Sequence, residues 1–302
     1  MSHPAGLPRP RVMSTSRTPL QVYAAERPRL VAVAYAVLGD VAEAEDVVQD
    51  AWLRLERTED IDDVAGWLVV AVARLALDVA RSARRRREEY VGPWLPEPLT
   101  VEPLEDGPEE SLLLREDLSL ALLAVLETLS PAQRTVFVLH DVFAVPFDEV
   151  ARVVGRSPAA CRQLAARARA DVAAQRPRTQ VDSAEQQRVL AAFAAACEDG
   201  DLDELLRLLD PAVVLVSDGG GKVSAARKPV EGADHVARFL VGVLHRNGST
   251  LRPVLVNGVP GYLTLTGGEL SSVVSLTLQG GRVRGIDIVR NPDKLTRVRP
   301  SA

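Results

Sequence analysis

Residues 147 to 171 read FDEVARVVGRSPAACRQLAARARAD, two short helical segments around a tight turn, with arginines concentrated on the second. The helix-forming run EVARVV stops at Gly155, where the absent Cβ permits a left-handed backbone. Ser157 then stands at the N-cap of a new helix and Pro158 at its first position, where a missing N–H costs nothing. Val150, Val153 and Val154 make an apolar face before the turn, and Ala160, Leu164 and Ala168 repeat at helical spacing after it. Arg162, Arg167 and Arg169 are left for solvent or phosphate. The pattern predicts a helix-turn-helix, and a charged αα-hairpin on the surface is the bland alternative.

Upstream, helices over 111–128 and 131–142 supply a scaffold. Ser130, Pro131 and Gln133 form a capping-box start, while Leu122, Val125, Leu126, Leu129, Val136, Leu139 and Phe143 can build one core around the pair. The net charge of −5 is unequally spread: residues 152–178 hold seven arginines and one aspartate, and residues 40–63 hold ten acidic and two basic residues. The basic surface suits phosphate. The acidic one suits solvent or a basic protein partner.

Residues 21–38 and 41–57 make two helical patterns broken at Gly39-Asp40. Val31, Ala34, Tyr35 and Leu38 line one face, and Val47, Val48, Ala51, Trp52 and Leu55 line the other, with Trp52 as a core anchor. Asp46, Gln49, Asp50 and Arg54 fall on the polar side. A third helix runs from Val64 toward the arginines at 84–87; its stripe is Trp67, Leu68, Ala71, Leu75 and Val79, with Arg74 and Arg81 outside it. Five arginines between 81 and 87 can grip phosphate or form a basic tether, which gives affinity more readily than specificity.

The first 18 residues read as a disordered leader with no secretory core. Residues 91–110 carry five prolines and read as an extended linker, in which Trp94 and Leu95 are large apolar groups suited to docking. Cys161 and Cys197 sit among aliphatic residues, as two buried thiols and not a disulfide. No apolar run approaches the roughly 20 residues that span a bilayer, so the cytoplasm is the default compartment.

After a hinge at 176–182, helices near 184–198 and 201–209 precede a strand at 212–217 and a helix near 232–246. Strands follow at 252–256, 261–266, 270–278 and 282–289, separated by Asn-Gly and Gly-Gly turns. Helices on a curved antiparallel sheet predict an α+β cone. Asp218, His235, His245 and Asp287 are available acid-base groups without catalytic spacing, and no cluster suggests a metal or cofactor. Asp218-Gly219-Gly220-Gly221-Lys222 lacks the spacing of a P-loop. It reads as a flexible loop or as a docking element. Asn291-Pro292-Asp293-Lys294-Leu295 offers a restricted turn, two polar groups and Leu295 as an apolar anchor.

Taken in order, AEAEDVVQDAWLRL, LSPAQRTVFVLHDVFAVPFDEVARVVGRSPAACRQLAARARA, RRRREEYVGPWLPEPL, DGGGK and NPDKL resemble extracytoplasmic-function sigma factors that carry a SnoaL-like C-terminal extension, the SigJ-like group. The resemblance spans residues 20 to 298. It implies two all-α domains and an NTF2-like cone: a disordered leader at 1–18, sigma domain two at 19–90, a linker at 91–110, sigma domain four at 111–178, and a regulatory domain with its tail at 179–302. The implied protein is no enzyme and takes no cofactor. Its implied partners are core RNA polymerase and promoter DNA.

Residue by residue, the resemblance assigns Asp46, Gln49, Asp50 and Arg54 to the polymerase clamp. Residues 58–66 and the helix carrying Arg74 and Arg81 are assigned to the minus-ten element, with Arg84 and Arg85 as further phosphate contacts. The helix led by Ser157 is assigned to the minus-thirty-five major groove through Arg162, Gln163 and Arg167, since Arg can pair with guanine and Gln with adenine. Trp94, Leu95, Asp218, Gly219, Gly220, Gly221, Lys222, Asn291, Pro292, Asp293, Lys294 and Leu295 are implied to dock the extension on the sigma core, which would replace or supplement a separate anti-sigma protein. A ligand-sensing DNA-binding regulator with a small molecule in the C-terminal pocket, or an enzyme fused to DNA-binding domains, remains an alternative.

Overall fold

The structure is a computed structural model that describes residues 18–101, 118–175 and 183–299, without side chains at 84–86, 88, 183 and 184. The leader up to residue 17, the acidic half of the linker and the hinge at 176–182 lie outside the described residues. Thr18 belongs to the fold and not to the leader, since it closes a capping box with Gln21 at the start of α1 (Pro19–Leu38). Asp40 caps α2 (Val41–Leu55), and Asp63 caps α3 (Val64–Glu88). Gly39 makes the break between the first two helices with φ 70°, a conformation open to glycine.

The expected single apolar faces are too narrow. In α1 every residue from Leu30 to Leu38 is buried, because α2 and α3 cover one side while the linker and the later helices cover the other. In α3 the predicted residues Trp67, Ala71, Leu75 and Val79 are only half-buried, and the deep positions are Leu68, Val72, Ala76 and Ala80. Trp52 is half-buried and stacks on Tyr23 with ring centroids 4.6 Å apart, so it is not the core anchor expected.

The second helical group comprises α4 (Leu120–Thr128), α5 (Pro131–Phe137) with a π-helical turn at Val138–Val142, α6 (Phe147–Val154) and α7 (Pro158–Gln175). Gly155 has φ 69°, and the Ser157 hydroxyl accepts from the Ala160 N–H at 3.2 Å, so the helix-turn-helix forms as the sequence predicts. The buried stripe of α7 is Cys161, Ala165 and Ala168. Ala160 and Leu164 are only half-buried, so the stripe starts one residue later than expected and meets the expected position at Ala168. Both helical groups share one continuous core.

The third unit is α+β: α8 (Ser183–Asp199), α9 (Leu202–Leu208), β2 (Leu209–Asp218), β3 (Val230–Glu231), α10 (Ala233–Leu240), then β4 (Ser249–Val256), β5 (Val259–Thr266), β6 (Glu269–Gln279) and β7 (Arg282–Val289). Among the described residues the sheet has seven strands, with β1 (Thr100–Val101) at one edge, in the order β1-β4-β5-β6-β7-β2-β3, and only β2 and β7 are parallel. Its first strand comes from the linker and pairs with β4. One face of the sheet packs on α8, α9 and α10 around Phe193, Leu240 and Tyr262. The opposite face, with Val254, Leu263, Val273 and Val289, packs on Leu95 and Leu120. The sheet is thus clasped between its own helices and the helix-turn-helix unit. Both cysteines are buried free thiols, and among the described residues no helix is long and apolar enough to cross a membrane.

Candidate interdomain and nucleic-acid interface

Asp218, at the end of β2, is fully buried and organises the contact between the first and third units. Its carboxylate accepts from the Tyr90 hydroxyl at 2.7 Å, the Leu95 N–H at 2.9 Å, the Gly220 N–H at 3.0 Å and Lys294 Nζ at 2.7 Å. Its backbone carbonyl accepts from the Arg290 and Asn291 N–H groups. Asn291 donates to the Tyr90 hydroxyl at 2.8 Å. A Cβ on Gly220 would stand 2.5 Å from the Asn291 side chain, so this close approach requires glycine. The DGGGK and NPDKL segments are therefore two halves of one contact.

Lys294 makes the polar contacts expected of it, but from a buried position, and Leu295 packs only partly against the apolar cluster. Lys294 is buried, donates to the Leu95 carbonyl and lies 3.9 Å from the Trp94 ring centre, while Leu295 is only half-buried and Val298 is the buried apolar anchor. Burial lowers the Lys294 ammonium from its ordinary range, and Asp218 opposes that shift. Lys222 does not join this centre; it pairs with Asp293 at 2.5 Å on an exposed surface, where an ion pair contributes little.

Trp94 is held between Lys294 and the Arg87 guanidinium, 3.6 Å from its ring centre. Arg87 also donates to the Leu38 carbonyl at 2.6 Å and pairs with Glu127. Glu127 in turn pairs with Arg134, which donates to the Val37 carbonyl at 2.9 Å. This network joins the end of α1 to α3, α4 and α5. One of the five arginines read as a phosphate patch is thus spent inside the molecule. Arg81 is exposed beside Asp78 at 3.1 Å, and the side chains of Arg84 and Arg85 lie outside the description.

A second polar centre also joins the first and third units. The Tyr35 hydroxyl donates to the Glu97 carbonyl at 2.7 Å and accepts from Asn257 at 2.8 Å. Burial raises the Tyr35 hydroxyl above its ordinary range. The Glu97 carboxylate accepts from the Val41 N–H at 2.8 Å, and burial raises its pKa despite that bond.

Asp46, Gln49, Asp50 and Arg54 share the exposed side of α2. Arg297 of the tail reaches this helix, pairing with Glu45 at 2.6 Å. Ser157, which caps α7, and Arg162, Gln163 and Arg167 on it are all exposed, which leaves the face that would meet base edges open. Arg169 instead pairs with Asp141 at 2.5 Å. Arg74, though exposed, bridges the two units: its Nε and Nη2 donate to the Arg152 carbonyl at 3.1 and 2.6 Å. Sequence reasoning missed Tyr35, Tyr90, Glu97, Glu127, Arg134 and Asn257. Tyr35 alone carried a signal, as a hydroxyl inside an otherwise apolar run.

His235 and His245 bind backbone carbonyls of Glu231 and Glu198 and do not converge with Asp287 or Asp218. Among the described residues no group of His, Cys, Asp or Glu could hold a metal ion.

Family models for sigma-70 region 2 and sigma-70 region 4 match residues 22–86 and 119–172. The chain is 42% identical over 287 residues to the ECF RNA polymerase sigma factor SigJ of Mycobacterium tuberculosis, covering 91% of this chain and 92% of that protein. It is 36% identical over 280 residues to a probable ECF RNA polymerase sigma factor, SigI, of the same species, covering 91% and 94%. The crystal structure of M. tuberculosis SigJ superposes with a TM-score of 0.76 at 40% identity, covering 92% of this chain and 98% of that one.

Proposed function

The chain belongs to the extracytoplasmic-function RNA polymerase sigma factors, and from that premise we propose that the arrangement described above is a closed form held shut by its own C-terminal domain. The family's work is to direct RNA polymerase in promoter recognition. The observation that carries the closed-form reading is the single core shared by the region 2 and region 4 units. The minus-ten and minus-thirty-five elements lie about 25 base pairs apart, roughly 85 Å of B-form DNA. Two units fused through one core and tied by Arg74 to the Arg152 carbonyl cannot straddle that distance. Opening must precede promoter binding.

In the open form Asp46, Gln49, Asp50 and Arg54 would contact polymerase, and Arg297 on Glu45 places the tail against that helix. Arg74, Arg81, Arg84 and Arg85 would serve the minus-ten side, with Ser157, Arg162, Gln163 and Arg167 in the major groove at minus-thirty-five. Trp94, Leu95 and the DGGGK and NPDKL segments supply the latch, so a separate anti-sigma protein is not required. Helices on one face of a bulged sheet support a SnoaL-like or NTF2-like identity for the third unit. The space between that sheet and its own helices is filled by apolar side chains, which argues against a ligand there.

The test compares full-length protein with a chain ending before Asn291, scoring polymerase binding, transcription from a randomised promoter library and solution dimensions by small-angle scattering. Release of the latch should expand the protein and raise promoter-selective initiation. Unchanged dimensions together with unchanged transcription would sink the closed-form reading.

A further inference from the structure

Between the sheet and the helix-turn-helix unit lies a cleft of about 760 Å³, within the size range of small-molecule sites. Val214 and Val216 line it from the sheet, Ala124 and Val125 from α4, Ala174 from the end of α7, and Trp94 from the linker. It lies on the face of the sheet opposite the filled apolar interior of the third unit. The mainly apolar lining contains one carboxylate, that of the half-buried Asp287 on β7, for which no hydrogen bond or ion pair is found among the described residues. Arg284, also in the lining, is drawn instead toward Asp210 at 3.9 Å. The apolar surroundings push the Asp287 carboxyl up to about 7.

A half-buried carboxylate on a largely apolar wall is poorly solvated and has no counter-charge, and a cation that arrives with its own apolar body supplies one while filling the cleft. We propose that this cleft is a binding site for apolar primary amines, with Asp287 as the counter-ion. A neutral ligand would leave the carboxylate uncompensated, and an acid would repel it. The ligand touches α4 and α7 on one side and β2 and β7 on the other, so it binds only while the two units are juxtaposed. Mass action then favours the closed form. That consequence, unlike the site itself, rests on the closed-form reading above.

Octylamine, octanol and octanoate serve as probes in calorimetric titrations of the full-length protein near neutral pH. One octylamine should bind per chain, octanol about tenfold more weakly, and octanoate not at all. Asp287→Asn, checked for an intact melting transition, should reduce octylamine to the level of octanol. Ala174→Phe, which fills the cleft from α7, should abolish both. Absence of saturable octylamine binding, equal binding of octanoate, or an undiminished amine preference in Asp287→Asn overturns the site. Binding as expected without any fall in promoter-directed transcription overturns the link to closure and leaves the site standing.

Discussion

Lys294 Nζ lies 2.7 Å from the Asp218 carboxylate across 76 residues of sequence, and both groups of this buried pair bond the Leu95 backbone, which fastens the turn at Pro292–Lys294 to the linker between the two sigma regions. Removing one partner of such a pair strands the other charge away from water, at about 3–5 kcal/mol. Lys294→Ala should therefore lower the melting temperature clearly, expand the protein in scattering and raise transcription. Lys222→Ala removes only an exposed pair with Asp293 and should change stability by less than about 1 kcal/mol. Equal effects of the two substitutions would contradict the assignment of Lys294 as the latch.

Arg74 bridges the region 2 and region 4 units through the Arg152 carbonyl. Arg74→Ala should cost about 1–2 kcal/mol of interdomain stability and speed amide hydrogen exchange through the α6–α7 turn. Exchange rates there that do not move would show that the contact holds nothing together.

Gly39 combines a left-handed backbone with a Cβ position 2.7 Å from the Trp94 ring. Gly39→Ala should destabilise by about 1–3 kcal/mol and loosen the linker, which tryptophan emission and thermal unfolding would report. An unchanged melting curve would show that the linker readily yields.

The folded pKa of Asp287 stands at about 7, above the ordinary 3.8, because of burial. In the folded state it therefore binds protons more readily than in the unfolded state, and its stabilising contribution, complete below about pH 3.8, is lost as pH rises through about 7. Asp287→Asn should gain on the order of 1–3 kcal/mol over the parent at about pH 8, and almost nothing at about pH 4. Denaturant titrations of both proteins across this range would show a constant difference if the carboxylate were solvated.

The helix-turn-helix was legible because its signals are local: Gly155, Ser157 and Pro158 act within a few residues of themselves. The hairpin turns at Asn257-Gly258, Gly267-Gly268 and Gly280-Gly281 were legible for the same reason, and every glycine in them has positive φ. Trp94 and Leu95 stood out as large apolar groups where prolines forbid a helix. The side of a helix that is buried was harder to read: α3 is covered from more than one direction, so a single periodic stripe misplaces its deep positions. The second polar centre was invisible. Tyr35 and Asn257 lie 222 residues apart, and Asn257 looked like turn chemistry alone, although its side chain also satisfies the Leu99 N–H at 3.1 Å.

That separation gives the molecule an order of events. A ribosome delivers Tyr35 long before Asn257, and Asn257 before Lys294, while domains nearer the N-terminus fold first. The sigma regions are therefore made before the residues of the third unit that contact them, although their own shared core can form while that unit is still being synthesised. On the closed-form proposal, each newly made chain passes through an interval, ended when Lys294 reaches Asp218, in which the latch is not yet fastened, and translation speed contributes to the length of that interval.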